Sequence, residues 1–366
     1  MELSVLIATA GRPDRVAACV ASLARQTLSR GRFEVLIGID GPEAGELEAM
    51  GSSPINFTLL SFPRAGPAST RNRLLEASKG ETIVFLGDNV RATPKLLEMH
   101  LLQQQMLASS FPKPGTARKK RPSIVIGRVS ALSPKPERVI DRFLRNTRVM
   151  LGPPLDTDEQ IDAPSLDGAF RTMSSANVSM PAELAKRIGG YCRQLAHGEY
   201  DDAEFAWRAD RWVHSTLMSC PDAHATTELR FDPIDCFKRI ITLGYEAVTL
   251  NQLSQACTID FFGREVIGLG EQRMAMACIT RDSFDAKRAM LAFMASGVTP
   301  LSALSCDESA LRSKKLFEYF ERARPWLWRT GQLAALDNVS LNSTLVDFDA
   351  ALREAAREAS GNQRAA

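Results

Sequence analysis

The chain has 366 residues, which is enough for one large α/β domain or two domains of ordinary size. Lys and Arg number 45 against 43 Asp and Glu, and the net charge of +2 gives no electrostatic argument for binding nucleic acid. Apolar residues make up 45% of the chain and no apolar run reaches about 18 residues, so the sequence predicts neither wholesale disorder nor a membrane-spanning helix.

Short apolar runs alternate with helical segments in the first 109 residues. This alternation predicts an α/β fold in which helices flank a mostly parallel, Rossmann-like sheet. Ligands of such sheets bind beyond the carboxyl ends of the strands, and Thr9, Asp40 and Asp88 follow three of the predicted strands. The predicted strands cover residues 3–8, 34–39, 56–62 and 82–86.

The rest of the chain begins with a basic, proline-bracketed loop at residues 112–122. This loop is either a solvated insertion or a contact with an anionic lipid or membrane surface. A strand at 123–129 and a block at 173–213 follow, and beyond about residue 230 the pattern is helical. The aromatic and basic segment 317–329 suits either an interfacial helix or ordinary core packing with a basic outer face.

Common cofactor and metal motifs are missing from the sequence. There is no G-x-x-x-x-G-K-[ST] loop, no G-x-G-x-x-G after the first strand, no G-x-S-x-G elbow and no H-E-x-x-H. The seven cysteines are scattered without a C-x-x-C pair, and the N-terminus lacks the basic segment of a signal peptide. We therefore expect reduced thiols in a cytoplasmic protein whose chemistry depends on carboxylates and arginines at strand ends.

An ordered set of short motifs resembles the family 2 glycosyltransferases of the GT-A fold. The resemblance covers roughly residues 1–215 and implies a transferase domain at 1–230, with a nucleotide-sugar half at 1–111 and an acceptor half at 123–230. A helical extension at 231–359 and a disordered tail at 360–366 complete the predicted organisation. The motifs are Thr9-Ala10-Gly11-Arg12-Pro13, Asp40-Gly41, Pro67 to Arg71-Asn72, Gly87-Asp88-Asn89, Asn177, Gly189-Gly190-Tyr191 and Asp201-Asp202-Ala203-Glu204.

The resemblance implies a donor site for a nucleotide-diphosphate sugar. Thr9 and Arg12 would line the nucleotide pocket, with Arg12 near the phosphates, although both residues also suit the start of a helix. Asp40 would accept a hydrogen bond from the base or would only cap a turn, since Ile39 stands where the family often has a second acid. Arg71 would reach the nucleotide or would be an ordinary surface arginine.

The resemblance also implies a divalent metal, Mg²⁺ or Mn²⁺, that offsets the charge of the diphosphate leaving group. Asp88 is the expected ligand, with Asn89 as a neutral oxygen beside it. Gly87 stands at the first acidic position of the family's D-x-D-like motif, and Gly-Asp-Asn also suits a strand-end turn.

On the acceptor side, the resemblance implies a carboxylate that takes the proton of the attacking hydroxyl. We predict Asp202 as this general base, Asp201 as a supporting acid that bonds acceptor hydroxyls, and Asn177 as a contact to the donor sugar. Asp201 and Asp202 also suit simple capping at a helix start.

The resemblance implies an inverting, hexosyltransferase-like, metal-dependent enzyme of cell-surface polysaccharide or glycolipid synthesis. Its acceptor would be a sugar or a lipid-linked sugar, and it would lie in the cytoplasm or at the inner face of the membrane, in an oligomeric state that the sequence leaves open. The main alternative is a catalytically degenerate protein that binds a nucleotide sugar or serves as an interaction scaffold. A sugar-phosphate nucleotidyltransferase would need a glycine-rich loop after the first strand, where 9–14 holds one glycine.

Overall fold

A computed structural model of the chain describes residues 1–41, 55–109, 121–147, 169–228 and 230–364. The chain divides into two compact units, Met1–Leu132 with Gly152–Glu228 and Ser133–Leu151 with Leu229–Ala366. The sequence predicts a single domain boundary near residue 230. In the structure, Ser133–Leu151 already belongs to the second unit, and the chain then returns to the first unit for Gly152–Glu228.

The first unit is a layered α/β structure built on one sheet. Its strands are β1 (Leu3–Thr9), β2 (Phe33–Asp40), β3 (Thr58–Phe62), β4 (Thr82–Leu86), β5 (Val90–Ala92), β6 (Ser123–Leu132), β7 (Asn177–Pro181) and β8 (Thr216–Glu228). Its helices are α1 (Pro13–Leu23), α2 (Pro67–Ala77), α3 (Leu96–Ser109), α5 (Ala182–Arg187) and α6 (Asp201–Val213), while α4 (Val139–Thr147) belongs to the second unit.

The sheet has the strand order β3-β2-β1-β4-β7-β6-β8-β5. The pairs β3–β2, β2–β1, β1–β4 and β6–β8 are parallel, and β4–β7, β7–β6 and β8–β5 are antiparallel. The predicted fold class, a mostly parallel α/β sheet flanked by helices and followed by a helical region, is confirmed. The sequence did not predict β5 or β8, and β7 begins at Asn177, where the predicted strand-like stretch ends.

The middle of the sheet is apolar on both faces because helices cover both of them. Every residue of β4 is buried, and β1 and β2 have the same character. These mostly apolar strands end where polar residues begin: β1 ends at Thr9, β2 ends at Asp40, and β4 ends two residues before Asp88. Since these strands are parallel, the three residues lie at one edge of the sheet.

The second unit is helical. It contains α4, α7 (Pro233–Leu253), α8 (Gln255–Phe262), α9 (Leu269–Gly297), α10 (Cys306–Leu336) and α11 (Leu341–Arg364). The amphipathic α4 joins it because Val139, Ile140, Phe143 and Leu144 are buried in the apolar core of this unit. That burial is the physical reason why the domain boundary differs from the predicted one.

Two further expectations concern the second unit and its flanks. Phe320, Trp326 and Leu327 are buried in its core, which favours core packing over an interfacial helix for the segment 317–329. α11 continues to Arg364, where the sequence predicts a disordered tail from residue 360. Most of the basic loop at 112–122 lies outside the described residues, and none of the helices that are described has the length and apolar character to cross a bilayer.

Candidate functional site

Asp88 is the centre of a small polar cluster at the carboxyl ends of β1 and β4. Thr9 Oγ1 donates a hydrogen bond of 2.7 Å to Asp88 Oδ2. Arg12 Nη2 lies 3.2 Å from the same oxygen and 3.5 Å from Oδ1. The Asp88 side chain is 6% exposed and that of Arg12 is 50% exposed, so the carboxylate is enclosed while the guanidinium faces solvent. Three predicted site residues therefore come together here.

This cluster does not fit the divalent metal that the resemblance implies. In the described part of the chain, no group of three or more His, Cys, Asp or Glu side chains forms a cation site. The one carboxylate, Asp88, already shares its charge with Arg12. A Cβ atom at Gly87 would lie 2.9 Å from Asn89 Oδ1, so the position of the family's first acid has no room for one unless Asn89 moves.

Asp40 closes the turn that precedes α2. Its Oδ1 accepts hydrogen bonds from the backbone N–H of Ala65 (2.7 Å) and Gly66 (3.2 Å), and its Oδ2 accepts one from Gly66 (3.1 Å). This is the turn-capping alternative, realised between two segments that are distant in sequence. Asp40 is nearly buried, so a contact with a nucleotide base stays a prediction.

Arg71 pairs with Asp201 across the first unit. Its Nη1 donates to Asp201 Oδ2, and its guanidinium lies 5.1 Å from the centre of the Tyr191 ring. Burial opposes the charge of Arg71, but the carboxylates of Asp201 and Asp202 outweigh burial and raise its pKa. Arg71 is therefore mostly buried and forms an ion pair with Asp201, so it is not an ordinary surface arginine. A contact of Arg71 with the nucleotide stays a prediction that this arrangement does not favour.

Asp201 and Asp202 have different surroundings although they are adjacent. Asp201 is fully buried, and its Oδ1 accepts the backbone N–H of Asp202 at 2.9 Å. Its carboxylate faces Arg71 inside the protein, so the bond from Asp201 to acceptor hydroxyls stays a prediction that this arrangement does not favour. Asp202 Oδ2 accepts from Ser175 N (2.8 Å) and Ser175 Oγ (3.1 Å), whereas its Oδ1 is buried and the carboxylate also interacts with the Tyr191 phenol.

Tyr191 places its buried phenol against the Asp202 carboxylate, in a contact looser than the hydrogen bonds that Ser175 makes to Asp202. Its ring stacks on Phe205 at 4.6 Å and meets Phe85 edge-on at 5.3 Å, while Asn72 bonds both its backbone N–H and its carbonyl. Burial first, and then the charge of Asp202, raise the pKa of Tyr191 well above its usual value. The phenol is thus a neutral neighbour of the Asp202 carboxylate.

Asn177 is held inside the sheet unit, so its contact with a donor sugar stays a prediction that this arrangement does not favour. It is 1% exposed, and its Nδ2 donates to Arg128 O (3.0 Å) and Ala223 O (2.8 Å). Its Oδ1 lies 2.9 Å from His100 Nε2, so each polar atom of the side chain is already bonded inside the sheet unit. The Asn177 amide orientation makes Nε2 the protonated nitrogen of His100, and Nδ1 accepts from Ser179 Oγ at 2.9 Å.

His100 predicts a pH dependence of stability. Its burial, partly offset by the hydrogen bond to Asn177, lowers its pKa to about 4. An unfolded histidine titrates near pH 6.5, so the unfolded chain binds a proton that the native chain does not between about pH 6.5 and 4. We expect His100 to cost about 3 kcal/mol of stability as the pH falls through this window, and nothing above it.

Urea unfolding at several pH values from 7.5 to 5 measures this effect. The variant His100→Gln should lose part of the pH dependence, although it is less stable at pH 7.5. The exposed His214, replaced by Asn, is the matched control and should keep the wild-type pH dependence. An unchanged pH dependence in His100→Gln would show that His100 is not held neutral.

Two hydrogen bonds, one between backbone groups and one from a backbone N–H to a carboxylate, bring the Asp88 and Asp202 regions to the same edge of the sheet. Gly87 N donates to Ala176 O at 3.0 Å, and the neighbouring Ser175 holds Asp202. Sequence reasoning missed Ser175 and the side-chain role of Tyr191. Tyr191 belongs to the Gly189-Gly190-Tyr191 motif, which supports the resemblance but does not indicate a role for the phenol. Nothing in the sequence singles out Ser175.

Residues 4–106 match the model of the family described as Glycosyl transferase family 2. This match confirms the predicted resemblance over that part of the chain, which contains Thr9, Arg12, Asp40, Arg71 and Asp88. No curated protein matches the chain.

Several solved structures match the backbone of this chain. The S. aureus TarS structure is 15% identical with a TM-score of 0.49, and the match covers 91% of this chain and 55% of TarS. TarS 1–349 in complex with UDP-GlcNAc is 15% identical with a TM-score of 0.48, and 93% of each chain is covered. Mannosyltransferase PcManGT from Pyrobaculum calidifontis, in complex with GDP-Man and Mn²⁺, is 14% identical with a TM-score of 0.48, covering 93% of this chain and 88% of that one. Likeness at this level carries no inference about activity.

Proposed function

We propose that the chain is an inverting glycosyltransferase that moves a sugar from a nucleotide-diphosphate sugar to a hydroxyl acceptor. The observation that carries the proposal is the cluster of Thr9, Arg12 and Asp88 at the strand ends of the segment that matches family 2. This edge is where ligands of α/β sheets bind. A cluster that pairs an enclosed carboxylate with a half-exposed guanidinium suits the ribose and phosphates of a nucleotide.

The proposed reaction is a direct displacement. The acceptor oxygen attacks the anomeric carbon, the bond from that carbon to the diphosphate oxygen breaks, and the electron pair leaves with the nucleoside diphosphate. Asp202 takes the acceptor proton, because its half-buried carboxylate stands at the N-terminus of α6, where a negative charge is stabilised. Ser175 fixes the other oxygen, and the pair of Arg71 with Asp201 holds the start of α6.

The role of Asp88 as a ligand of Mg²⁺ or Mn²⁺ stays a prediction that the donor set does not favour, so no step of the proposed reaction passes through a metal. A role in cell-surface polysaccharide or glycolipid synthesis and a contact with the membrane also stay predictions. Gly87 and Ile39 favour the alternative of a protein that binds a nucleotide sugar without transferring it.

Donor binding and turnover distinguish the two functions. A panel of UDP-, GDP-, CDP- and ADP-sugars is tested for thermal stabilisation, and release of the nucleoside diphosphate is then measured for each donor that binds. A donor at about 100 times its Kd adds about 2.7 kcal/mol of stability, which raises the Tm by several degrees. Binding with release supports the transferase, binding without release in the presence of sugar acceptors supports the binder, and no binding by any donor contradicts both.

A further inference from the structure

We propose that the guanidinium of Arg12, and not a divalent metal, supplies the positive charge that binds the donor diphosphate. This inference rests on the proposed function and concerns the same site. Arg12 lies against Asp88 at 3.2 Å, which is where a cation would contact this carboxylate. A metal on Asp88 would have to displace Arg12 or share one carboxylate with it, and two cations at one carboxylate repel each other.

The surroundings of Asp88 support a guanidinium and not an ion. Thr9 Oγ1 already donates to Asp88 Oδ2, so the oxygen nearest to Arg12 is engaged twice. Mg²⁺ is commonly held by one or two carboxylates together with the substrate phosphates, and within the described residues the turn after β4 adds only the neutral amide of Asn89 to Asp88. The Asn89 oxygen lies in the space where an acidic side chain at position 87 would begin.

Arg12 is also free to meet a phosphate. Its contact with Asp88 uses Nη2, and within the described residues no other hydrogen bond of its guanidinium is found. The side chain is 50% exposed, so a phosphate in solution can reach it. α1 begins at the next residue, Pro13, without a side-chain cap, so the positive end of the helix adds to the charge of Arg12. Asp88 is thus a positioning residue that orients Arg12.

Nucleotide binding in the absence and presence of metal tests this proposal. UDP, GDP, CDP and ADP are titrated into the full chain by calorimetry, first in EDTA and then with Mn²⁺. We expect one of them to bind in EDTA, with a Kd that Mn²⁺ changes by less than about three-fold. Arg12→Gln should weaken binding in EDTA by about ten-fold or more, as expected for the loss of a hydrogen-bonded charge. Arg25→Gln removes the same charge at the other, exposed end of α1 and should bind as the wild type does.

The variant Asp88→Asn separates positioning from metal binding because it keeps the shape of the side chain. We expect it to weaken binding by the same factor in EDTA and in Mn²⁺. Binding that requires Mn²⁺ and disappears in Asp88→Asn would overturn the role of Arg12 and leave the transferase proposal standing. Absence of binding by all four nucleotides in both conditions would overturn the proposed function together with this inference.

Discussion

Replacing Asp202 with asparagine is expected to lower turnover by about 10²- to 10⁴-fold, which is the usual contribution of a general base. Asparagine keeps the size of the side chain, and its amide oxygen still accepts the hydrogen bonds that Ser175 donates to Asp202 Oδ2. The change therefore removes the ability to take a proton and leaves the local fold in place. Release of the nucleoside diphosphate from the identified donor, with water or a sugar as the acceptor, measures the effect.

Two comparisons make this prediction specific. Asp210→Asn changes the same chemical group on the same helix, α6, and should leave turnover and the Tm unchanged. The Kd of Asp202→Asn for the nucleoside diphosphate should stay within about two-fold of the wild-type value, because the base acts in the transfer step. An Asp202→Asn protein with wild-type turnover would assign the proton to another group and leave Asp202 with helix capping alone.

The cluster around Asp88 was predictable because it depends on local patterns. A short, mostly apolar buried run followed by a polar turn identifies the ends of β1 and β4 from the sequence alone. Parallel pairing of these strands then brings Thr9 and Asp88 together. The partner of Arg71 was not predictable, since Asp201 lies 130 residues away in the sequence. The buried bonds of Asn177 with His100 likewise depend on a tertiary contact.

In two elements, β8 and α10, burial in the folded protein overrides the local conformational propensity of the sequence. β8 has a polar sequence that contains Pro221, yet it pairs along β6, with a register shift between Gly127 and Arg128. α10 continues through Pro325, although a proline inside a helix removes one backbone hydrogen bond and disfavours the helical conformation of the preceding residue. Phe320 and Leu327 on either side of the proline are buried in the same core, and this burial favours a continuous helix.

The second large effect is expected where α7 crosses α10. A Cβ atom at Gly331 would lie 1.8 Å from the carbonyl oxygen of Ile241, and one at Gly244 would lie 1.9 Å from the carbonyl oxygen of Trp328. Both contacts are with backbone, which a change of rotamer does not relieve, so the helices must separate and lose packing along their length. We expect Gly331→Ala to lower the free energy of unfolding by about 3 kcal/mol or more, as measured by urea denaturation.

The sign of the Gly331→Ala effect is informative because alanine is intrinsically the better helix former. Gly270→Ala is the matched control: Gly270 lies in α9 with nothing within 4 Å of its Cβ position, and alanine there should be neutral or stabilising by up to about 1 kcal/mol. A stabilised Gly331→Ala protein would mean that α7 and α10 are not in backbone contact. Because Gly244 and Gly331 occupy one crossing, the double alanine variant should lose less stability than the two single losses combined, since the first alanine already separates the helices.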